Sequence, residues 1–223
     1  MLGVRIVARV LVLPVRCILN LFGDAVILCG GKSERMQFDK AFAKINGSYM
    51  IEIIYEKLSQ CFDHVKLCAD SRERLSMFGL DTIVDQAPAG AGAGPALGIY
   101  SALSQATSNY VFVTACDMPL IDVDHIHFMK QLLTQSDTMP DALVPMCRGF
   151  IEPLYSFYST NMVKHIEEEL EQGNNKLHSI LSKRNVIYME EMHSRSFSPD
   201  LTMFHNINTK EDLEKASWLM KSE

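Results

Sequence analysis

Several patterns that mark large protein classes are missing from this sequence. It holds neither a C-x-x-C pair nor an H-E-x-x-H motif, so two common spacings of zinc ligands are absent. Its most apolar stretch, residues 1–22, is interrupted by three arginines and Pro14, which leaves no uncharged run near the ~18 residues that span a membrane. No small-x-small cleavage site follows it, which argues against a secretory signal peptide.

An excess of positive charge is missing as well. The 223 residues carry a net charge of −6, so we expect no nucleic-acid partner and no stable membrane insertion. In such an acidic chain, an anionic ligand needs cations gathered in one place. One such cluster is formed by Lys32, Arg35, Lys40 and Lys44.

Cysteine is present, but not in a pattern of pairs. The six positions are scattered, and most lie in or beside apolar runs, where cysteine is usually a small buried hydrophobe. This predicts free thiols in a reducing compartment, and therefore a cytoplasmic protein, rather than a disulfide framework. The six are Cys17, Cys29, Cys61, Cys68, Cys116 and Cys147.

The chain divides into a short apolar start and one long body. Residues 1–22 are predicted to be an N-terminal extension outside the fold, and 23–223 a single domain of ordinary globular composition. An interfacial amphipathic helix is the alternative for the extension, because Arg5, Arg9 and Arg16 share one helical face. Pro14 would break such a helix in its middle.

From Asp24 onward, apolar strand patterns alternate with helical ones. This alternation predicts an α/β fold with a mostly parallel sheet and helices on both faces. The predicted strands are residues 25–28, 64–69, 82–84, 110–114, 142–145, 151–155 and 186–189. The predicted helices are residues 48–62 with Ser48 as N-cap, 71–78, 96–106, 122–133, 162–170 with a solvated face at 167–169, 177–181 and 209–218.

The stretch after the first strand, Leu28–Lys40, reads LCGGKSERMQFDK. Glycines at a strand exit let the backbone approach a ligand, and exposed N–H groups with nearby cations suit a polyphosphate. The stretch is not a Walker A loop, since that motif needs a glycine where Val26 stands. We therefore predict a nucleoside triphosphate at the carboxyl end of the first strand, bound outside a P-loop.

Two carboxylates follow later strands, and ligands of open parallel sheets collect at such strand ends. Asp117 follows the strand at 110–114 and can hold Mg²⁺, which favours one or two carboxylates together with phosphate oxygens. Asp85 follows the strand at 82–84. Taken singly, Asp117 fits a turn or N-cap as well as it fits a metal site, and Asp85 fits a turn better than a ligand contact. Their joint placement is what favours a nucleotide site.

These residues resemble one known family. The similarity covers residues 24–217 in order and joins motifs that share a place at strand or helix ends: residues 28–40, Gly94–Gly98, Cys116–Pro119, Glu152–Leu154 and Asn206–Thr209. Together they resemble the molybdenum cofactor guanylyltransferases, which are nucleotidyltransferases of the glycosyltransferase-A-like, Rossmann-related fold. The resemblance implies transfer of GMP from GTP to the terminal phosphate of molybdopterin, with release of pyrophosphate.

The resemblance also implies roles for individual residues. Leu28, Cys29, Gly30 and Gly31 would meet the nucleotide through their backbone. Lys40 would bind phosphate and act in catalysis, Asp85 would contact GTP, and Asp117 would hold Mg²⁺. Arg35 is added on charge grounds, for the leaving pyrophosphate. Asn206 and Asn208 would lie toward the pterin, with turn and capping roles as the alternative.

Three positions depart from the family pattern: Cys29 replaces an alanine, Gln37 a glycine and Cys68 an asparagine. The third departure implies that any side-chain hydrogen bond from this position to the nucleotide is lost or moved. The predicted chemistry needs no dedicated base, because the acceptor phosphate is already ionised at neutral pH. It needs alignment and relief of charge repulsion, which Mg²⁺, Lys40 and Arg35 would supply.

Other functions stay open at this point. One alternative is a related nucleotidyltransferase that uses CTP or a sugar-phosphate or polyol-phosphate acceptor. Another is a non-catalytic GTP-binding module that passes cofactor to another protein. The expected partners are GTP and molybdopterin, with transient contacts to molybdoenzymes or cofactor-insertion proteins, and the expected state is a monomer.

Overall fold

A computed structural model gives the structure of residues 21–30, 40–89, 92 and 94–221. The predictions for residues 1–20 and 31–39 lie outside these ranges. Leu21 and Phe22 correct the predicted boundary of the N-terminal extension. Leu21 is buried, and Phe22 packs its ring against Tyr110 and Phe157. The folded body therefore includes at least these two residues of the predicted extension.

The described residues form strands with the bounds β1 (Asp24–Leu28), β2 (Lys44–Ile45), β3 (Ser48–Tyr49), β4 (His64–Ala69), β5 (Thr82–Val84), β6 (Tyr110–Ala115), β7 (Ala142–Cys147), β8 (Phe150–Ile151), β9 (Tyr155–Ser159) and β10 (Val186–Met189). An eight-stranded sheet has the order β10-β7-β9-β6-β1-β4-β5, with β8 paired to β7. β1, β4, β5 and β6 pair in parallel, as do β7 and β10, while β9 runs antiparallel to β6 and β7. The predicted mostly parallel sheet is confirmed.

The helices of the described residues are α1 (Met50–Leu58), α2 (Pro95–Ser104), α3 (Val123–Gln135), α4 (Val163–Glu171), α5 (Leu177–Leu181), α6 (Glu191–Arg195) and α7 (Lys210–Leu219). Short 3-10 helices span Lys40–Phe42, Glu73–Phe78, Thr160–Met162 and Thr202–Phe204. None of the helices in the described part of the chain has the length and apolar character required to cross a bilayer.

Helices cover both faces of the sheet, as predicted. Successive residues of β1 point to opposite faces, so Ala25 and Ile27 join one core while Val26 and Leu28 join the other. α1 and α3 pack on the first face, and α2, α4 and α5 on the second. α2 approaches β1 closely at Gly98, where an added Cβ would lie 3.0 Å from a methyl carbon of Leu28. A side chain there would require the Leu28 side chain to shift by a few tenths of an ångström.

The start of β1 is anchored by a buried carboxylate. Asp24 Oδ2 accepts hydrogen bonds from the backbone N–H groups of Thr107 and Ser108, both at 2.6 Å, and from the Ser108 hydroxyl at 2.8 Å. Burial raises the pKa of Asp24, but these hydrogen bonds outweigh it and leave the pKa below its usual value. The amino end of the central strand is thereby tied to the loop before β6.

Three local predictions were wrong. The first helix begins at Met50 rather than Ser48, because Ser48 pairs with Ile45 in a small hairpin. The strand predicted at residues 151–155 is divided between β8, which ends at Ile151 and pairs with β7, and β9, which begins at Tyr155 and pairs with β6. Glu169, predicted to lie on a solvated face, is buried. It forms a 2.5 Å ion pair with Lys183, which ties α4 to the chain after α5.

His125 lies fully buried in the first turn of α3. Its Nε2 lies 3.1 Å from the Ser194 hydroxyl, and its Nδ1 has no hydrogen-bond partner within the described residues. The rings of Tyr155, Phe197 and Phe204 surround it. Burial lowers the pKa of His125 to about 4, because the imidazolium ion would lose its hydration.

We expect His125 to make folding sensitive to acid. Between pH ~6.5 and ~4 the unfolded histidine takes up a proton that the folded one does not, so stability falls as the pH falls through this window. The wild type should lose about 2 kcal/mol more than His125→Gln between pH 7 and pH 5, measured by urea unfolding. His127→Gln, at an exposed position of the same helix, is the matched control. Equal pH dependence of the wild type and His125→Gln would contradict the assignment.

Candidate active site

The carboxyl ends of β4, β1 and β6 lie side by side at one edge of the sheet. The register places Leu28 between Cys68 and Ala115. Backbone bonds continue past the strand ends, with Cys29 N–H donating to the Cys68 carbonyl at 2.8 Å and Cys116 N–H to the Leu28 carbonyl at 3.0 Å. The residues that follow each strand therefore emerge next to one another.

Lys40 and Asp117 meet at this edge. Lys40 Nζ lies 2.7 Å from Asp117 Oδ2, and the two side chains are 21% and 17% exposed. Lys40 also donates a hydrogen bond to the side-chain oxygen of Asn208. The Asp117 carbonyl accepts from the N–H of Ile207 at 2.8 Å, which brings the segment before α7 to the site. Three distant parts of the sequence thus converge on one ion pair.

Asp85 lies on the other side of the glycine turn. An ideal Cβ at Gly30 would stand 3.9 Å from Asp85 Oδ2, while Cys68 Sγ donates to Asp85 Oδ1 at 3.2 Å. The Asp85 backbone N–H donates to the Ala69 carbonyl at 2.9 Å. The structure therefore brings together Leu28, Cys29, Gly30, Lys40, Asp85, Asp117 and Asn208, whereas Gly31 and Arg35 lie outside the described residues.

The two asparagines differ in their contacts. Asn208 N–H donates to Asp212 Oδ2 at 2.9 Å, next to the capping box that Thr209 and Asp212 form at the start of α7. Its side chain meanwhile reaches Lys40. Asn206 supplies its carbonyl to the Asn208 amide at 3.5 Å. The backbone of Asn208 thus serves the helix cap, while its side-chain oxygen faces the ion pair.

Arg74 is a residue of this edge that sequence reasoning missed. Its Nη1 donates to the Cys29 carbonyl at 2.6 Å and lies 3.5 Å from Asp70 Oδ1. The guanidinium group therefore bridges the turns after β1 and β4. Arg74 lies in a short 3-10 helix among other charged residues, and no spacing in the sequence distinguishes it from them.

Asp117 is the residue whose chemistry fits a divalent cation. Its carboxylate is partly exposed at the edge of the sheet where Gly30 follows β1, and Mg²⁺ takes only one or two carboxylates when phosphate oxygens and water complete its shell. Within the described ranges, no three His, Cys, Asp or Glu side chains form a cluster that could hold a metal ion by themselves. A metal at this edge would therefore depend on ligand oxygens as well as on Asp117.

Residues 25–187 match the sequence profile of the MobA-like NTP transferase domain. The chain belongs to the MobA-like NTP transferase family. The match runs from the second residue of β1 to the second residue of β10 and so includes the whole eight-stranded sheet apart from its margins. This confirms the prediction that the chain is a nucleotidyltransferase of the molybdenum cofactor guanylyltransferase family.

Relatives of known name agree with this placement. The chain is 39% identical over 207 residues to a "Probable molybdenum cofactor guanylyltransferase" of Peptoclostridium acidaminophilum, covering 92% of each protein. It is 39% identical over 198 residues to the molybdenum cofactor guanylyltransferase of Syntrophotalea carbinolica, covering 87% of this chain and 90% of that one. Among solved structures, molybdopterin-guanine dinucleotide biosynthesis protein A of Archaeoglobus fulgidus superposes with a TM-score of 0.76 at 26% identity, covering 90% of this chain and 100% of that one.

Glu152 is a second residue without an assigned role in this MobA-like chain. It precedes β9, and its N–H donates to the Pro145 carbonyl at 2.8 Å. β7 and β6 both run antiparallel to β9, so Glu152 lies at the same edge of the sheet as Asp117. Burial raises the pKa of Glu152 to about 7. The sequence shows it only as the first letter of a short motif, without any sign of this environment.

We expect Glu152 to weaken the fold as the pH rises. The folded protein holds the neutral acid up to pH ~7 while the unfolded chain ionises near 4.5, so the stabilisation present at low pH is lost as the pH passes through 7. Between pH 5 and pH 8 the wild type should lose about 2 kcal/mol relative to Glu152→Gln, measured by urea unfolding. The exposed Glu168→Gln is the control. Parallel pH profiles of wild type and Glu152→Gln would refute the shifted pKa.

Proposed function

We propose that this chain transfers GMP from GTP to molybdopterin, forming molybdopterin guanine dinucleotide and pyrophosphate in a Mg²⁺-dependent reaction. The observation that carries this proposal is the Lys40–Asp117 pair beside the Gly30 turn, a cation and a carboxylate at the carboxyl edge of a parallel sheet. The names of the relatives at 39% identity support the same substrates. The proposal includes a monomer in the cytoplasm, with transient contacts to molybdoenzymes or cofactor-insertion proteins.

The proposed roles follow from the contacts at the edge. Leu28 to Gly31 would bind the nucleotide through backbone groups, since Gly30 leaves the approach to the chain open. Asp85 would contact the nucleoside end, because a carboxylate repels phosphates. Lys40 and Arg35 would face the triphosphate, where their charges offset its repulsion of the incoming acceptor. Asp117 would hold Mg²⁺, which when bound polarises the phosphates and neutralises their charge.

In the proposed reaction, an oxygen of the acceptor phosphate bonds to the α-phosphorus of GTP. The bond from that phosphorus to the bridging oxygen of the β-phosphate breaks, and pyrophosphate leaves with the electron pair. The acceptor carries no proton that must be removed, so the residues act by alignment and charge. Lys40 would give up its ion pair with Asp117 and bind a phosphate oxygen instead, since its Nζ lies beside the carboxylate that would hold the cation. Asn206 and Asn208 would lie on the pterin side of it.

Replacement of Asp117 should stop turnover without unfolding the chain. With GTP, Mg²⁺ and purified molybdopterin, we expect Asp117→Ala to lower the rate of pyrophosphate release at least about a hundredfold, since the charge that holds the cation is gone. Its melting temperature without ligands should stay within a few degrees of the wild type, because a partly exposed ion pair contributes little to stability. Asp137→Ala, at an exposed loop position, is the control. Activity retained by Asp117→Ala in Mg²⁺ buffer would contradict the metal role.

The choice of nucleotide can be tested separately by thermal shift. We expect GTP with Mg²⁺, at about a hundredfold excess over its dissociation constant, to raise the melting temperature by about 5–10 °C. CTP, ATP and UTP at the same concentration should raise it much less. A larger shift with CTP would favour the related nucleotidyltransferase with another substrate. A shift with GTP but no pyrophosphate release with molybdopterin would favour the non-catalytic binding module.

A further inference from the structure

The thiol of Cys68 is buried against the carboxylate of Asp85. Cys68 is the fifth residue of β4 and is 2% exposed. Its Sγ lies 3.2 Å from Asp85 Oδ1 and 3.6 Å from the Gly98 carbonyl. Burial and the neighbouring Asp85 both raise the pKa of this thiol, so it keeps its proton at neutral pH. A protonated thiol beside an ionised carboxylate donates its hydrogen to it.

The two oxygens of Asp85 are consequently directed to different places. Oδ1 accepts from Cys68, whereas Oδ2 lies toward Gly30, 3.9 Å from where a Cβ would stand. Among the described residues, the thiol is the hydrogen-bond donor that contacts this carboxylate. The main chain of Asp85 is held at the strand end by its bond to Ala69. With Oδ1 bound by Cys68 and the main chain bound to Ala69, Oδ2 lies on the side of Gly30.

We propose that Cys68 is a positioning residue for nucleotide binding: its thiol holds Asp85 so that Oδ2 faces the nucleoside that passes over Gly30. This inference rests on the proposed function. An ionised carboxylate only accepts hydrogen bonds, so the group it recognises carries N–H or O–H, as the guanine amide and amino groups and the ribose hydroxyls do. The thiol has one proton and gives it to Asp85. The contact to the ligand therefore belongs to Asp85, not to residue 68.

This arrangement accounts for the departure of Cys68 from the family pattern. A side-chain amide carries two N–H donors and an acceptor, and it can bind a neighbour and a ligand at once. A thiol has a single proton and is a weak acceptor. With cysteine at this position, the single thiol proton goes to the carboxylate after β5, and the proposed contact to the nucleotide is left to that carboxylate.

The test compares variants that keep or remove the donor at residue 68. We expect Cys68→Ala to weaken GTP binding in the presence of Mg²⁺ about fivefold to tenfold by titration calorimetry, the effect of losing one ordinary hydrogen bond, because a thiol is a weak donor. Cys68→Ser keeps a donor and should bind within about twofold of the wild type. KM for GTP should rise with Cys68→Ala while kcat changes less than twofold, because the reacting phosphates are held elsewhere. Cys147→Ala is the control for loss of a buried thiol.

A double-mutant cycle shows whether Cys68 acts through Asp85. In an Asp85→Ala background, Cys68→Ala should cause no further loss of GTP affinity, since the carboxylate that it orients is gone. A purely structural role would lower the affinity in both backgrounds and would not be rescued by serine. If Cys68→Ala fails to fold, Cys68→Val, which also lacks a donor, replaces it under the same criteria.

The outcomes separate the two proposals. A wild type that binds no GTP overturns the proposed function, and this inference with it. A wild type that binds GTP, weakened by Asp85→Ala but not by Cys68→Ala, overturns the inference alone. Loss with alanine, rescue with serine and no added loss in the Asp85→Ala background establish Cys68 as the residue that positions Asp85.

Discussion

Parallel pairing of β1 with β4 and β6 is the constraint on which the site depends. Parallel neighbours end at the same edge of a sheet, so residues that follow each strand emerge side by side whatever their separation in sequence. Here the register carries Gly30, Asp85 and Asp117 to one edge. Backbone hydrogen bonds between the strands therefore bring these three residues to the same edge. Their side chains do not contribute to this placement.

Burial of β1 between two apolar layers fixes the register of the parallel strands. Both faces of β1 are covered by apolar side chains, and Asp24 ties its amino end to the loop before β6. A one-residue slip would turn every side chain of the strand to the wrong face, so its register is strongly specified. The partly exposed Lys40–Asp117 pair contributes little to stability by comparison. In the proposed function, its importance is that it puts opposite charges where the triphosphate and its cation would meet.

The residues that escaped prediction share one property. Arg74 donates to the carbonyl of Cys29, Cys68 donates to the carboxylate of Asp85, and Glu152 is partly desolvated just before β9, where its N–H donates to the Pro145 carbonyl. Each is an ordinary residue type in an ordinary local pattern. What distinguishes it is its environment in the folded chain, such as the partners of Arg74 and Cys68, which lie 45 and 17 residues away, and no periodicity records such an environment. The buried Glu169 was mispredicted for the same reason, because its partner Lys183 lies in the turn after α5.

Local pattern in the sequence determined the strands that are buried on both faces, the helices with apolar stripes, and the residue types at each strand exit. It did so because a covered strand such as β6 has to be apolar throughout, and because glycine at a turn leaves a direct trace in the sequence. Only the tertiary structure decided where β9 begins, that Leu21 and Phe22 join the core, and which groups face one another at the edge. Those features depend on contacts between segments that are distant in sequence. Such contacts form only when the chain folds, so the local sequence pattern does not record them.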